Sequence, residues 1–208
     1  MVRRHRLITV EADAAAVERR LAAGGLSCPD CADVLVGWGH GRERRVRAAV
    51  GSVRFRPRRS RCAGCGVTHV LLPVVAFLRR ADLAAVIGAA LAAKAAGAGH
   101  RRIALVLGRP AETVRGWLRR FADRLETVRG VFTVWLRALD PDPAMPVAAG
   151  SAWADAMTMI SLVAVAAERR FVLAMSPWEV ATAVSGGRLL APGWPSVVDQ
   201  HELPLTQS

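Results

Sequence analysis

Tyrosine is absent from the 208 residues, so no mechanism in this chain draws on a phenol. Aromatic residues of all kinds make up 5%, and lysine occurs once, at Lys94. A long apolar run is also missing. Across 143–167 Asp155 is the only charge, but Pro146 and Gly150 interrupt, and the run 156–167 has 12 residues against about 20 needed to span a bilayer. The start, Met1-Val2-Arg3-Arg4-His5-Arg6, is basic, yet Glu11 and Asp13 arrive before the apolar stretch of an export signal forms. A membrane location is therefore not expected. The expected compartment is the cytoplasm, where thiols stay reduced unless a metal holds them.

Enough apolar material is present to build a core: 52% of residues are hydrophobic, which excludes global disorder. The preference for Arg (28) over Lys carries no functional meaning by itself. The excess of 29 basic over 17 acidic residues does, because it is unevenly placed. Residues 1–39 are neutral, 40–80 carry a net charge of +10, 81–130 carry +5, and 131–208 carry −3. A basic middle between a neutral start and an acidic end points to a polyanionic partner for that middle, with nucleic acid first among candidates.

Local patterning divides the chain into 1–25, 26–75, 80–126 and 131–208. Residues 6–10 read as a strand and 12–24 as a helix stopped by Gly24-Gly25. Val46, Ala48 and Val50 alternate with Arg45 and Arg47, Gly51-Ser52 signals a turn, and Val53, Phe55 and Pro57 alternate with Arg54, Arg56 and Arg58. This predicts a hairpin with one apolar and one arginine face. A further strand is expected over 67–72. Helices are expected over 81–96, 101–107 and 111–124, followed by a breaker cluster at 140–146. Trp153, Met157, Ile160, Val163 and Ala167 share one helical face within 151–168. Ser176-Pro177-Trp178-Glu179 is a capping box opening a helix over 177–185. The stretch from Ala191 on is Pro-rich and expected to be irregular. The expected class is α+β, mostly α: a small N-terminal β unit, a three-helix unit, then C-terminal helices.

All four cysteines fall into two pairs, Cys28-Pro29-Asp30-Cys31 and Cys62-Ala63-Gly64-Cys65. Two intervening residues let a tight turn aim both sulfurs at one ion, Gly64 and Gly66 free the second turn, and the hairpin occupies the spacer between pairs. Zinc held by Cys28, Cys31, Cys62 and Cys65 is the expected cofactor. Four thiolates leave no open position for water, so its role is structural. His69, four residues after Cys65, could replace a ligand but lies in a strand pattern and reads as a packed or exposed strand residue; His40 reads as a turn residue. The rival reading of the cysteines, a redox dithiol, lacks the helix start beside a βαβ pattern that such motifs use.

Residues 100–118 carry the pattern of a helix-turn-helix. Ile103, Leu107, Val114, Trp117 and Leu118 supply apolar contacts, Ala104 the close approach and Gly108 the turn, while Arg109 stands where another apolar residue is common. Glu112, Thr113, Arg115, Gly116 and Arg119 then face outward, with Arg115 and Arg119 one turn apart and able to meet guanine edges. Arg101, Arg102 and Arg109 suit phosphates, as do Arg45, Arg47, Arg54, Arg56 and Arg58 on the hairpin.

With these motifs placed, Cys28-Pro29-Asp30-Cys31, Gly37-Trp38-Gly39-His40-Gly41, Arg61-Cys62-Ala63-Gly64-Cys65-Gly66 and Leu71-Leu72-Pro73 resemble the zinc ribbon of insertion-sequence transposases. Gly99-His100-Arg101-Arg102-Ile103-Ala104 through Trp117-Leu118 resembles the homeodomain-like helix-turn-helix that follows it in those proteins. The chain is also similar to a family of uncharacterised actinobacterial proteins with the same ribbon and helices. The resemblance covers about residues 26–125. It implies double-stranded DNA as partner and a role as transposase-related accessory protein or transcriptional regulator. A transposase catalytic domain is not expected: fewer than 85 residues follow Leu125, and their carboxylates, Asp140, Asp142, Asp155, Glu168, Glu179, Asp199 and Glu202, lie in a linker, on apolar helices or in the tail. The chain therefore reads as a non-enzyme with no small-molecule substrate. Its C-terminal helices are expected to pack on the body or pair two copies. RNA binding through the arginine face is the alternative, disfavoured by the few aromatics available for stacking.

Overall fold

The computed structural model describes residues 6–195, so the basic start and the tail beyond Pro195 lie outside the described residues. Among the described residues six strands and seven helices follow in order. They are β1 (Arg6–Val10), α1 (Ala14–Ala22), β2 (Leu35–His40), β3 (Arg44–Arg47), β4 (Ser52–Phe55), β5 (Arg58–Cys62) and β6 (Thr68–Pro73), then α2 (Ala84–Ala95), α3 (His100–Leu107), α4 (Ala111–Ala122), α5 (Leu125–Leu139), α6 (Ala152–Phe171) and α7 (Pro177–Val184). The class is α+β.

Strands β1, β6, β5 and β2 form one sheet in that order, with β1 parallel to β6 and the other pairs antiparallel. Helix α1 starts where the Asp13 carboxylate accepts the Ala15 and Ala16 N–H groups at 2.9 and 3.3 Å. It lays Val17 and Leu21 on the sheet face that carries Val10, Leu35, Cys62 and Leu71. The strand and helix at the start of the chain thus belong to the same layer pair as the cysteines.

The hairpin differs from its expected form. Strand β3 ends at Arg47, which pairs with Ser52, and the reversal takes 48–51 with Gly51 in the left-handed region. Val46 is buried, but Val50 projects into solvent at 92% exposure. The chain leaves this hairpin at Phe55 and enters the larger sheet at Arg58, so Arg54, Arg56 and Arg58 do not share one strand face. Pro57, with no N–H to give a ladder, sits buried at the switch between the two sheets.

Helices α2 to α7 share one apolar core running from Phe77 to Trp194. Helix α2 starts three residues later than its periodicity predicts. Asp82 and Leu83 are extended, and the Leu83 N–H donates to the Arg47 carbonyl at 3.0 Å. Helix α5 was not expected, although Val128, Phe132, Trp135, Leu136 and Leu139 recur at helical spacing and are all buried. Helix α6 extends to Phe171. The capping box of α7 is present: the Glu179 N–H donates to Ser176 Oγ at 3.3 Å, and the Ser176 N–H to Glu179 Oε2 at 2.8 Å. Both C-terminal helices bury their apolar faces within the chain, α7 so closely that a Cβ on Gly88 of α2 would collide with the Trp178 ring. Among the described residues no helix is long and apolar enough to cross a membrane.

Candidate metal centre and cationic surface

Pairing of Leu35 with Cys62, and the Ala63 N–H donated to the Val34 carbonyl at 3.0 Å, bring the two cysteine turns side by side. The turns are built alike. The Ala32 N–H donates to the Cys28 carbonyl at 2.8 Å, and the Gly66 N–H to the Cys62 carbonyl at 3.1 Å. The residue four beyond the first cysteine is left-handed in both, φ 59° at Ala32 and 71° at Gly66. Only the second turn has the glycine this conformation favours. Gly64 acts differently from its expected freedom: a Cβ there would strike the Asp33 carboxylate. Ala32→Gly is expected to raise the unfolding midpoint of the metal-loaded protein, by about 1 kcal/mol of stability, and Gly66→Ala to lower it by about as much. Thermal melts of the two variants check this.

The four sulfurs lie within 4.8 Å of one another and could hold a metal ion. Cys28 and Cys65 are 3.7 Å apart, Cys31 and Cys62 3.3 Å. A tetrahedron with metal–sulfur bonds of about 2.3 Å has edges of about 3.8 Å, so this spacing fits four-thiolate coordination. Both close pairs join sulfurs from different turns, which is the arrangement of a shared ion rather than of a dithiol within one Cys-x-x-Cys. Burial pushes the Cys28 thiol up. Burial also acts to raise Cys62, but the Cys65 N–H and the neighbouring thiols overcome it and bring Cys62 down to about 7. His69 is fully buried on β6, with Nε2 3.5 Å from Cys28 Sγ, where an N–H can steady the Cys28 thiolate. Its place in a strand close to the cysteines was legible in the sequence; its full burial against Cys28 was not. His40 closes β2 and is exposed.

The expected arginine set separates into two groups. Arg109 points inward, its side chain 10% exposed. Its Nε–H donates to Asp82 Oδ1 at 2.6 Å, and its other donors reach the Leu107, Gly108 and Ala48 carbonyls. Arg47 donates to both oxygens of the same carboxylate, at 3.0 and 2.6 Å. Arg58 donates to the Gly39 carbonyl and pairs with Glu18 at 2.7 Å. These three arginines are structural: they tie the hairpin to the helices and β5 to α1 and β2. The pattern that placed Arg109 where an apolar residue is usual was the sign that it points inward. Asp82, 1% exposed and central to that tie, carried no sequence signal.

Arg101, Arg102, Arg115 and Arg119 are exposed on α3 and α4, as are Arg45, Arg54 and Arg56 on and beside the hairpin. Arg45 and Arg54 stand directly opposite across the β3–β4 ladder as like charges; Arg45 donates to Ser52 Oγ at 2.7 Å and Arg54 pairs with Glu43 at 3.9 Å. On α4, Glu112 pairs with Arg115, while Thr113 and Gly116 are half-buried. These two line a cleft of about 370 Å³ together with Arg80, Arg115, Arg119 and Arg120. Sequence reasoning did not find Arg80 or Arg120. Burial, and then the positive field of Arg120 and Arg124, holds the Arg80 guanidinium below its ordinary value. Arg44 donates to the Arg80 carbonyl at 2.9 Å, so hairpin and cleft adjoin.

Compared with known protein families, with curated proteins and with solved structures, the chain matches none.

Proposed function

We propose that this is a non-enzymatic, sequence-specific protein of double-stranded DNA, with the cysteine unit a zinc ribbon and α2–α4 a helix-turn-helix. Helix α4 enters the major groove, Arg115 and Arg119 meet base edges, and Arg80 and Arg120 meet the flanking phosphates. Arg101, Arg102, Arg45, Arg54 and Arg56 extend the phosphate-binding surface to either side. The observation that carries this reading is that four arginines, Arg80, Arg115, Arg119 and Arg120, line one cleft along α4 with a single carboxylate, Glu112; Arg80 and Arg120 each donate one N–H to a backbone carbonyl, of Leu190 at 2.6 Å and of Gly116 at 2.9 Å. Such a concentration of like charge opposes folding and is relieved by a bound polyanion. Four thiolates at tetrahedral spacing support zinc as the ion, in a structural role. The resemblance to the DNA-binding part of insertion-sequence transposases supports an accessory or regulatory role in the cytoplasm.

A duplex-binding titration tests the reading. If about six phosphates are neutralised, the log–log slope of affinity against salt is near −5. Arg115→Ala/Arg119→Ala weakens binding to a duplex selected from a random pool by about 10- to 100-fold and brings its affinity close to that for random duplex. A flat salt response, or equal binding by the variant, removes the proposal.

A further inference from the structure

The sheet of the cysteine unit has a second face, opposite α1. At its β1–β6 end this face meets the segment around Gly187, where a Cβ would touch Leu72 and Leu7. At the other end the edge strand β2 and the residue leading into it expose Val34, Val36 and Trp38 in alternation, at 38%, 44% and 49%. Arg61, the cross-strand partner of Val36, sets its guanidinium 4.9 Å from the centre of the Trp38 ring. Its Nε–H also donates to the Gly66 carbonyl at 3.3 Å, which anchors the guanidinium to the second cysteine turn. Arg59 lies on the same face, since Ser60 and Cys62 of β5 are buried on the other.

An indole held against a guanidinium is a flat, cationic platform in a chain with few aromatics. An apolar partner covering it would bury Arg59 and Arg61 without counter-charge, at a cost of several kcal/mol per ion. A nucleobase with its phosphate matches both parts, because the base stacks and the phosphate pairs. Bases inside a duplex are already stacked and cannot reach such a surface. We infer that Trp38 and Arg61 form a stacking site for one unpaired base of a single strand, separate from the α4 surface. The inference rests on the reading above only in taking nucleic acid as the partner.

The test compares Trp38→Ala, Trp38→Phe and Arg115→Ala/Arg119→Ala in titrations with a short mixed-sequence single strand, in DNA and RNA forms, and with the matching duplex. Trp38→Ala is expected to bind the single strand about 10-fold more weakly, on one polymer or both, and Trp38→Phe to recover most of that loss. Duplex affinity stays within about twofold in both, because neither Trp38 nor Arg61 lines the α4 cleft. Metal content and melting midpoint verify the fold of each variant. Undetectable single-strand binding, or equal binding by the Trp38→Ala protein, overturns the stacking site whatever the duplex does. A flat duplex salt response with Trp38-dependent single-strand binding instead removes the α4 reading and leaves this one.

Discussion

Removal of the metal by a strong chelator is expected to unfold the cysteine unit and leave the helical body standing. The sheet and α1 share a small core of Val10, Val17, Leu21, Leu26, Leu35 and Leu71 with two of the cysteines, Cys28 and Cys62. So little apolar surface does not offset the ordering of some 60 residues, at about 1–2 kcal/mol of backbone entropy each. The ion supplies on the order of 10 kcal/mol in such units. The helices stand on a separate core around Ile87, Leu91, Phe121, Phe132 and Ile160. Chelation, or Cys62→Ser, should therefore leave most of the far-ultraviolet helix signal, because six of the seven described helices lie in that body. It should release the amides of β1, α1, β2, β5 and β6 to rapid hydrogen exchange while those of α5 and α6 stay protected. Elemental analysis should give one zinc per chain. Loss of all helix signal in one step would contradict the two-core account, and a metal-free, fully folded protein would contradict the metal site itself.

Replacing Asp82 by Ala is the second change with a large expected effect. Its carboxylate is 1% exposed and holds Arg109 at 2.6 Å and Arg47 at 2.6 and 3.0 Å. Removal leaves the Arg109 guanidinium buried without its counter-charge, a loss of about 3 kcal/mol, or roughly 6–12 °C in melting midpoint for a chain of this size. Arg47→Ala should cost well under half as much, because that side chain is 44% exposed and Asp82 keeps Arg109. Joint replacement by Asp82→Leu and Arg109→Met should recover part of the loss, since the penalty lies in the orphaned charge. Equal destabilisation by Asp82→Ala and Arg47→Ala would refute this division of roles. The same variant tests the link to the α4 surface. Arg47, Asp82 and Arg109 join the hairpin to the turn between α3 and α4, so loosening that join should weaken duplex binding without touching an exposed arginine.

The parts legible in the sequence were those governed by short spacings. Two residues between cysteines, four thiols in two pairs, the capping box at Ser176 and the apolar periodicity of α3, α4 and α6 are local patterns. Chain geometry leaves them few ways to fold. Helix α5 is equally legible, in the helical spacing of Val128, Phe132, Trp135, Leu136 and Leu139. The hairpin arginines were legible only in part, because period-two alternation does not say where a strand changes sheets, and Pro57 made that change before Arg58.

The amino-acid sequence alone determined the thiol set, the basic middle and the helical segments, because composition and spacing within a few residues specify them. Tertiary structure decided which arginines remain available. Nothing local sets Arg47 and Arg58 apart from the arginines beside them; they differ in meeting Asp82 and Glu18 across the fold, as Arg109 meets Asp82. It also brought Arg80 and Arg120 together, and set Trp38 against Arg61. Those meetings depend on how separate elements pack, and a charge near a buried carboxylate has a different fate from the same charge in water.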